Sequence, residues 1–152
     1  MNIDKFRRQH AIILDGIAVL RELTQDGVAP NAERIAAQVI ATSGIVKLHL
    51  AVEDSLLYPA LAHSGDARLA AMGEAYSTEM QTIARDYFAF AARWNLAGRV
   101  ASAPEAFRAD ANRVLRRLHE RMRREERDFY PSVASSGVRL DAPADQQEKE
   151  RA

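Results

Sequence analysis

The sequence predicts an all-α protein, an up-down-up-down antiparallel four-helix bundle. Hydrophobic residues recur at helical spacing along most of the chain, and no alternating run of β-branched residues is long enough to indicate a strand. Three breaks rich in Gly, Pro, Asn and Asp divide the chain into four long helical segments. Because short connections make successive helices antiparallel neighbours, we expect these four segments to pack as one bundle.

The first two helices are separated by a break that contains both glycine and proline. Helix 1 is predicted over about residues 3 to 24 and helix 2 over about residues 32 to 61. Asn31 is placed to cap the start of helix 2. Pro59 marks the predicted end of that helix, because proline cannot donate the backbone hydrogen bond that a helix needs.

The last two helices are marked by capping residues. Asp66 is expected to cap helix 3, predicted over about residues 67 to 96 and closed by Gly98. A capping-box spacing that starts at Ser102, with a proline in the first turn, opens helix 4. Helix 4 is predicted to run to about Phe129.

Length and composition indicate one domain. The chain has 152 residues, of which 47% are hydrophobic, enough for a single core and too short for two domains. We assign residues 1–137 to the bundle and expect residues 138–152, which are mostly polar and charged, to form a mobile tail.

The charge balance and the absence of cysteine narrow the classes of partner. Lys plus Arg and Asp plus Glu number 21 each, so no overall field favours nucleic acid or an anionic membrane. With no cysteine, any metal must be held by nitrogen and oxygen. The N-terminus resembles neither a signal peptide nor a membrane span, which leads us to expect a cytoplasmic protein that binds neither membranes nor nucleic acid.

A seven-residue phrase occurs twice, as EDSLLYP at residues 53–59 and as EERDFYP at residues 125–131. Each copy begins with an acidic pair and ends with a hydrophobic residue, a tyrosine and a proline. One helical turn upstream, the first copy has His49 and the second has Arg121. His49 and Glu53, four residues apart, share one helical face, which is the arrangement a metal needs from a single rigid element.

Each predicted helix carries at least one ionisable residue within its apolar stripe, counted at about 100° per residue. These residues are His10, His49, Glu53, Glu79 and Glu125. Reflection of the chain about the expected helix connections places Glu53 level with Glu125, and His49 level with Glu79 and Arg121. Three carboxylates and two imidazoles that face a common core need mutual compensation or a cation, because burying an unpaired carboxylate is costly.

These residues resemble the hemerythrin-like (HHE cation-binding) family over about residues 3 to 131. The resemblance rests on His10, on the His49 and Glu53 pair with its Leu-Tyr-Pro end, and on Glu125 with its Phe-Tyr-Pro end. It implies a four-helix bundle that holds a non-haem di-iron centre and serves in oxygen carriage, oxygen or redox sensing, or iron handling. By the same resemblance, the two histidines match terminal ligands and Glu53 and Glu125 match bridging carboxylates.

The sequence departs from the family pattern on helices 3 and 4. Glu79 and Met80 stand where the family has a histidine on helix 3, and Arg121 stands where it has one on helix 4. Arg121 cannot ligate a cation and is expected to pair with Glu79 or Glu125. Three states of the site therefore remain open: two metals, one metal, or no metal with a buried Arg-Glu-His network.

The ligand set implied by these departures is rich in carboxylates, so reversible oxygen carriage is not expected. Iron is the cofactor that the resemblance implies, with Mn or Zn also compatible with nitrogen and oxygen ligands. The favoured hypothesis is a metal-binding protein for oxygen or redox sensing or for metal handling, with dioxygen or another small diatomic molecule as partner. The alternatives are a metal-free interaction module and an oxidase-type or peroxidase-type enzyme.

Two further features of helix 4 do not change these expectations. Its many arginines fall on the outer face among acidic residues, with no aromatic side chains to stack on bases, so a nucleic-acid site is not predicted. His119 lies two residues from the position of the family histidine, on the flank of the apolar stripe, and is not included among the expected ligands.

Overall fold

The computed structural model describes residues 3–140, and within this range the chain is all-helical, with no strand. Seven α-helices and two π-helical turns follow one another along the chain. They are α1 (Ile3–Asp26), α2 (Ala32–Val52), the first π turn (Glu53–Leu57), α3 (Tyr58–Ala62), α4 (Ala67–Arg93), α5 (Ala97–Ser102), α6 (Pro104–Arg124), the second π turn (Glu125–Phe129) and α7 (Tyr130–Ser136). Because each π turn joins two α-helices without a break, the chain forms four long helical stretches and the short α5.

Neither proline stops its helix, so the predicted end of helix 4 at about Phe129 is wrong, whereas the end predicted for helix 2, at about residue 61, agrees with Ala62. The second stretch continues past Pro59 to Ala62, and the last continues past Pro131 to Ser136. In both places a π turn precedes the proline and accommodates its missing N–H. The last stretch ends at Gly137, whose left-handed φ of 74° suits glycine at a helix C-terminus.

The predicted end of helix 3 is also wrong, since α4 stops at Arg93 and α5 follows it. Trp94 is buried and donates its indole N–H to Asp110 at 2.8 Å, which fixes the chain where α4 ends. Val100, fully buried, anchors α5 against the core. The chain between the two long helices is therefore packed and helical where the sequence suggested an open loop.

Only one of the three predicted caps forms as expected. Asp66 Oδ1 accepts from the backbone N–H groups of Arg68 and Leu69, as predicted for a cap. Asn31 makes no capping bond and instead donates its side-chain amide to the Gly27 carbonyl at 2.8 Å. The capping box at Ser102 does not form, because its hydroxyl donates back to the Arg99 carbonyl.

Contacts between successive long stretches pair rising residue numbers on one helix with falling numbers on the next. Between α1 and α2, His10 contacts His49 and Gly16 lies beside Thr42. Between α2–α3 and α4, Ser43 contacts Tyr87 and Leu61 lies beside Gly73. Between α4 and α6, Glu79 contacts Arg121 and Asp86 contacts Arg117.

Two apolar clusters make up the interior, and polar residues lie between them along the helices. On α1, His10 separates Phe6 of one cluster from Ile13 of the other. On the second stretch, His49 and Glu53 lie between Val46 and Leu57, which belong to different clusters. The polar groups are therefore surrounded by apolar side chains on both sides.

Within residues 3–140, the helical stretch Ala32–Ala62 is the one that is long and apolar enough to be a candidate membrane span. Its mean hydropathy of 1.6 over 18 residues, together with its length, would be enough to cross a membrane. One such helix is weak support for a membrane span, because core helices of soluble proteins have the same composition.

The C-terminal segment begins in contact with the core. Val138 and Leu140, the first part of the predicted tail, pack against the cluster that contains Phe6 and Leu57, and Leu140 is only 4% exposed. The rest of the predicted tail, residues 141–152, lies outside the described residues.

Candidate metal centre

Four of the five predicted ligands meet in the interior. His10, His49, Glu53 and Glu125 each offer one donor atom, and these atoms all lie within 4.8 Å of one another. None of the four residues is more than 1% exposed. Two imidazoles and two carboxylates are thus gathered from three long helical stretches into one buried point.

Both histidines point the same ring nitrogen inward. The Nε2 atoms of His10 and His49 are 3.0 Å apart. His49 Nδ1 lies 2.8 Å from the Gln9 side-chain oxygen, and because that oxygen can only accept, Nδ1 must carry the proton. His49 Nε2 therefore presents a lone pair to the cluster, as a metal-binding imidazole does.

His10 is oriented in a similar way by an acidic neighbour. Its Nδ1 lies 2.9 Å from Glu126 Oε1, although the two atoms are not aligned for a hydrogen bond. A carboxylate beside Nδ1 favours the proton on that nitrogen and leaves Nε2 free. A carboxylate or amide behind each imidazole is the usual support of a histidine ligand.

The Glu53 carboxylate is held by two tyrosines. Its Oε1 accepts from the Tyr130 hydroxyl at 2.9 Å and lies 2.9 Å from His49 Nε2. Its Oε2 accepts from the Tyr58 hydroxyl at 3.0 Å. The Tyr130 oxygen is also 2.9 Å from His10 Nε2, which places this phenol at the edge of the cluster.

The Glu125 carboxylate has one paired and one unpaired oxygen. Its Oε1 accepts from Arg121 Nε at 2.8 Å. Its Oε2 is buried, has no hydrogen-bond partner and lies 3.4 Å from His10 Nε2. An unpartnered buried carboxylate oxygen is costly, and one that lies beside an imidazole nitrogen fits a cation ligand.

The π turns explain why the tyrosines reach the carboxylates. Each turn coincides with one copy of the repeated phrase and is closed by a hydrogen bond from a tyrosine N–H to the glutamate carbonyl five residues earlier. The following proline lacks an N–H and crowds the preceding turn, which favours this wider loop. The extra residue brings Tyr58 onto the face of Glu53, where an ordinary α-helix would place residue 56 or 57.

Burial separates the proton affinities of the two carboxyls. Burial and then the negative charge of Glu125 raise the pKa of Glu53 well above its ordinary value. Burial also acts to raise the pKa of Glu125, but its contacts with His10 and Glu53 and the charge of Arg121 hold it below its ordinary value. Glu53 is therefore the carboxyl that takes up a proton, while Glu125 stays ionised.

Burial also keeps one ligand candidate neutral. It lowers the pKa of His49 below its ordinary value, and the charge of Arg121 acts in the same direction, against Glu125 and Glu126. A neutral imidazole is the form that binds a metal ion. At neutral pH His49 is thus already in the state that a ligand requires.

Glu79, the fifth predicted ligand, lies outside the cluster. Its side chain is 42% exposed, and its Oε1 is paired with Arg124 and lies 3.5 Å from Arg121 Nη1. The neighbouring Met80 takes the buried position on α4. The expectation that Glu79 faces the core is wrong, because two arginines hold its carboxylate at the surface edge of the bundle.

Arg121 pairs with Glu125, and at longer range with Glu79, the two glutamates that the sequence suggested as its partners. His119 is half-buried, and burial together with Arg21 and Arg123 lowers its pKa. It is not among the clustered donors. Neither residue joins the group of four.

Sequence reasoning missed four residues that complete the site: Gln9, Tyr58, Glu126 and Tyr130. The two tyrosines belong to the repeated phrase but were not among the predicted site residues. Their place in the repeated phrase was a signal, but only the π turns bring their hydroxyls to the carboxylates. Gln9 and Glu126 each lie next to a residue of the cluster in sequence, a position that does not by itself indicate a partner for a histidine.

The donor set suits a borderline or hard divalent ion. Imidazole nitrogen and carboxylate oxygen together favour Fe, Mn or Zn. Metal-bound donors at about 2.0–2.1 Å from a common ion lie roughly 3 Å from one another, similar to the 3.0 Å between the two Nε2 atoms. The four residues therefore fit a metal ion both in chemistry and in spacing.

One of the comparisons with known proteins gives a match, and that match agrees with this geometry. No curated protein and no solved structure matches the chain. The model of one protein family, described as the hemerythrin HHE cation binding domain, matches residues 1–133, a span that includes all four clustered donors. The chain therefore belongs to the hemerythrin HHE cation-binding domain family.

Proposed function

We propose that this protein binds a transition-metal ion through His10, His49, Glu53 and Glu125 and serves in oxygen or redox sensing or in metal handling. The observation that carries the proposal is a buried cluster in which two imidazole Nε2 atoms lie 3.0 Å apart and a carboxylate oxygen, 3.4 Å from one of them, has no hydrogen-bond partner. Without a cation, lone pairs and negative charge would face one another in an apolar interior.

The proposal includes an up-down-up-down antiparallel bundle as the scaffold. In the contacts that support it, residue numbers rise along one helix while they fall along its neighbour, as expected for antiparallel helices. This holds between α1 and α2, between α2–α3 and α4, and between α4 and α6. In such a bundle, side chains from facing helices supply the ligands of a central site. α5 is then a packed turn within the last connection.

Iron is the metal we propose, in line with the family, and Mn or Zn would fit the same donors. A bound iron would supply a redox-active centre or a Lewis acid. The chain's own residues prepare the site: Gln9 and Glu126 orient the imidazoles, Tyr58 and Tyr130 fix the Glu53 carboxylate, and apolar clusters exclude water. We propose dioxygen or another small diatomic molecule as the partner.

Metal analysis of the purified, untagged protein tests the proposal. We expect close to stoichiometric Fe, Mn or Zn, and loss of that metal in His49→Ala. His63→Ala is the matched control, because His63 is exposed and lies outside the cluster. Protein that is fully helical yet metal-free after expression in metal-replete medium would contradict the proposal.

A second candidate is a metal-free interaction module. It is favoured by one observation: Arg121 already neutralises Glu125 through a buried ion pair at 2.8 Å. Chelators would then leave the thermal stability unchanged. If the protein binds metal instead, removing it lowers the stability, because a ligand that binds only the folded state stabilises that state.

A further inference from the structure

We infer that the Arg121 guanidinium takes the place of a second cation, so that the site holds a single metal ion. This rests on the proposed function, since it concerns how many ions the same cluster binds. The inference follows from how Arg121 and Tyr58 occupy the far side of the two carboxylates.

Each carboxylate offers the histidines only one oxygen. Glu53 Oε1 and Glu125 Oε2 lie 2.9 Å and 3.4 Å from an imidazole Nε2. Glu53 Oε1 also accepts from Tyr130, whose oxygen lies on the histidine side, 2.9 Å from His10 Nε2. The other oxygen of each carboxylate contacts a different pair of residues: Tyr58 donates to Glu53 Oε2 at 3.0 Å, and Arg121 donates to Glu125 Oε1 at 2.8 Å. A second metal ion shared by both carboxylates would need these two oxygens.

Arg121 and Tyr58, the two residues that donate to these oxygens, are hydrogen-bonded to each other. Arg121 Nη2 donates to the Tyr58 hydroxyl at 3.2 Å, which in turn donates to Glu53. The far side of the carboxylate pair is thus closed by one continuous hydrogen-bonded chain from Arg121 through Tyr58 to Glu53. A second ion would have to displace the whole chain.

Arg121 is fixed in place by the rest of its surroundings. Its side chain is fully buried, its Nη2 donates to the Tyr76 carbonyl at 2.8 Å, and its Cζ lies 4.6 Å from the centre of the Tyr76 ring. A guanidinium carries five N–H donors and no acceptor, and it stays protonated. It therefore cannot ligate a metal and repels a cation beside it.

The net charge of the site also favours a single metal ion. With both carboxylates ionised, as metal binding requires, these two groups and Arg121 leave one net negative charge, which one divalent ion more than neutralises. A second divalent ion would place a large positive excess where water is excluded, and that is unfavourable. One metal together with one arginine balances the cluster more closely than two metals and one arginine.

Titration of the metal-free full chain with Zn²⁺, followed by gel filtration and elemental analysis, tests the inference. We expect one zinc per chain to remain bound to the wild-type protein. Two zinc ions per chain would overturn the inference and leave the proposed function standing. No retained metal in parallel titrations with Fe²⁺, Mn²⁺ and Zn²⁺ would instead overturn the proposed function, so the two failures are distinguishable.

Variants of Arg121 that remove or keep its positive charge test whether this charge limits the site to one metal ion. Arg121→Gln should raise the ratio from one zinc per chain to two, while Arg121→Lys, which keeps the charge, should leave it at one. Arg124→Gln is the control, because Arg124 is 39% exposed and pairs with Glu79 outside the cluster. A ratio that stays at one in folded Arg121→Gln would overturn the inference. If that variant does not fold, the wild-type ratio decides.

Discussion

Tyr58 donates its hydroxyl to Glu53, the residue five positions before it, at 3.0 Å. In a regular α-helix these two residues lie on different faces, and only the π turn between them brings them together. The proline that follows Tyr58 favours that turn. A backbone irregularity thus orients a carboxylate of the candidate metal site.

Replacing Tyr58 with phenylalanine should weaken metal binding without unfolding the protein. The change removes the donor to Glu53 Oε2 and frees the carboxylate to rotate. Loss of a group that orients a ligand typically reduces metal affinity by about 10- to 100-fold. Zinc affinity measured by competition with a chromogenic chelator checks this.

The control for Tyr58→Phe is Tyr87→Phe. Tyr87 is also a phenol of the interior, fully buried where Tyr58 is half-buried, but its hydroxyl contacts Ser43 and it packs in the larger apolar cluster away from the carboxylates. We expect its zinc affinity to match the wild type. Equal affinities for Tyr58→Phe and the wild type would show that Tyr58 does not orient the ligand.

Glu53→Gln should change how the stability of the metal-free protein depends on pH. The pKa of Glu53 is raised in the folded state, so its contribution is fully present below the unfolded pKa and is lost as pH rises through the folded value. The wild type should therefore lose stability relative to Glu53→Gln as pH rises above the ordinary glutamate pKa of about 4.3.

Denaturant unfolding in the presence of a chelator, at several pH values, measures this difference. Comparing the two proteins is necessary because His49 has a lowered pKa and acts in the opposite sense: its contribution is lost as pH falls below the unfolded value. His49 is present in both proteins but lies 2.9 Å from Glu53 Oε1, so the comparison reports the titration of the Glu53–His49 pair together. A stability difference that does not vary with pH would contradict the raised pKa of Glu53.

Gly16→Ala should destabilise the packing of α1 against α2. A Cβ at this position would lie 2.5 Å from Thr42 Oγ1 and 3.2 Å from Gln38 Nε2. Forcing extra volume into a packed interior typically costs about 1–3 kcal/mol, more than alanine gains over glycine in a helix. The free energy of unfolding from urea titration checks the change.

Gly44→Ala, on the neighbouring helix, should change the free energy of unfolding in the opposite direction. Gly44 is exposed, and a Cβ there meets nothing within 4 Å. The substitution should therefore stabilise the protein by roughly 0.5–1 kcal/mol through the better helix propensity of alanine. If both alanine variants were stabilised equally, the close approach of α1 and α2 at Gly16 would be wrong.

Much of the site could be predicted from sequence because its spacing is local. His49 and Glu53 are four residues apart on one helix, so their shared face does not depend on the rest of the fold. His10 and Glu125 followed from the apolar stripe of their helices, and both are buried in the cluster. Helical periodicity was sufficient for these four residues.

The remaining features depend on tertiary packing. Counting at helical spacing could not decide whether Glu79 or Met80 faces the core, and the ion pairs with arginines on α6 determine that Glu79 does not. The π turns shift the faces of all later residues in their helices, which is why Tyr58 and Tyr130 were missed. A proline within a helical pattern predicts the end of the helix. Here the helix continues past each proline, because a π turn precedes it.

Anomalous diffraction from crystals of the zinc-loaded protein tests the central claim most directly. The account predicts one strong anomalous peak, between the Nε2 atoms of His10 and His49 and within bonding distance of Glu53 Oε1 and Glu125 Oε2. A map with no peak at that position, or with its zinc bound by other residues, would contradict the account.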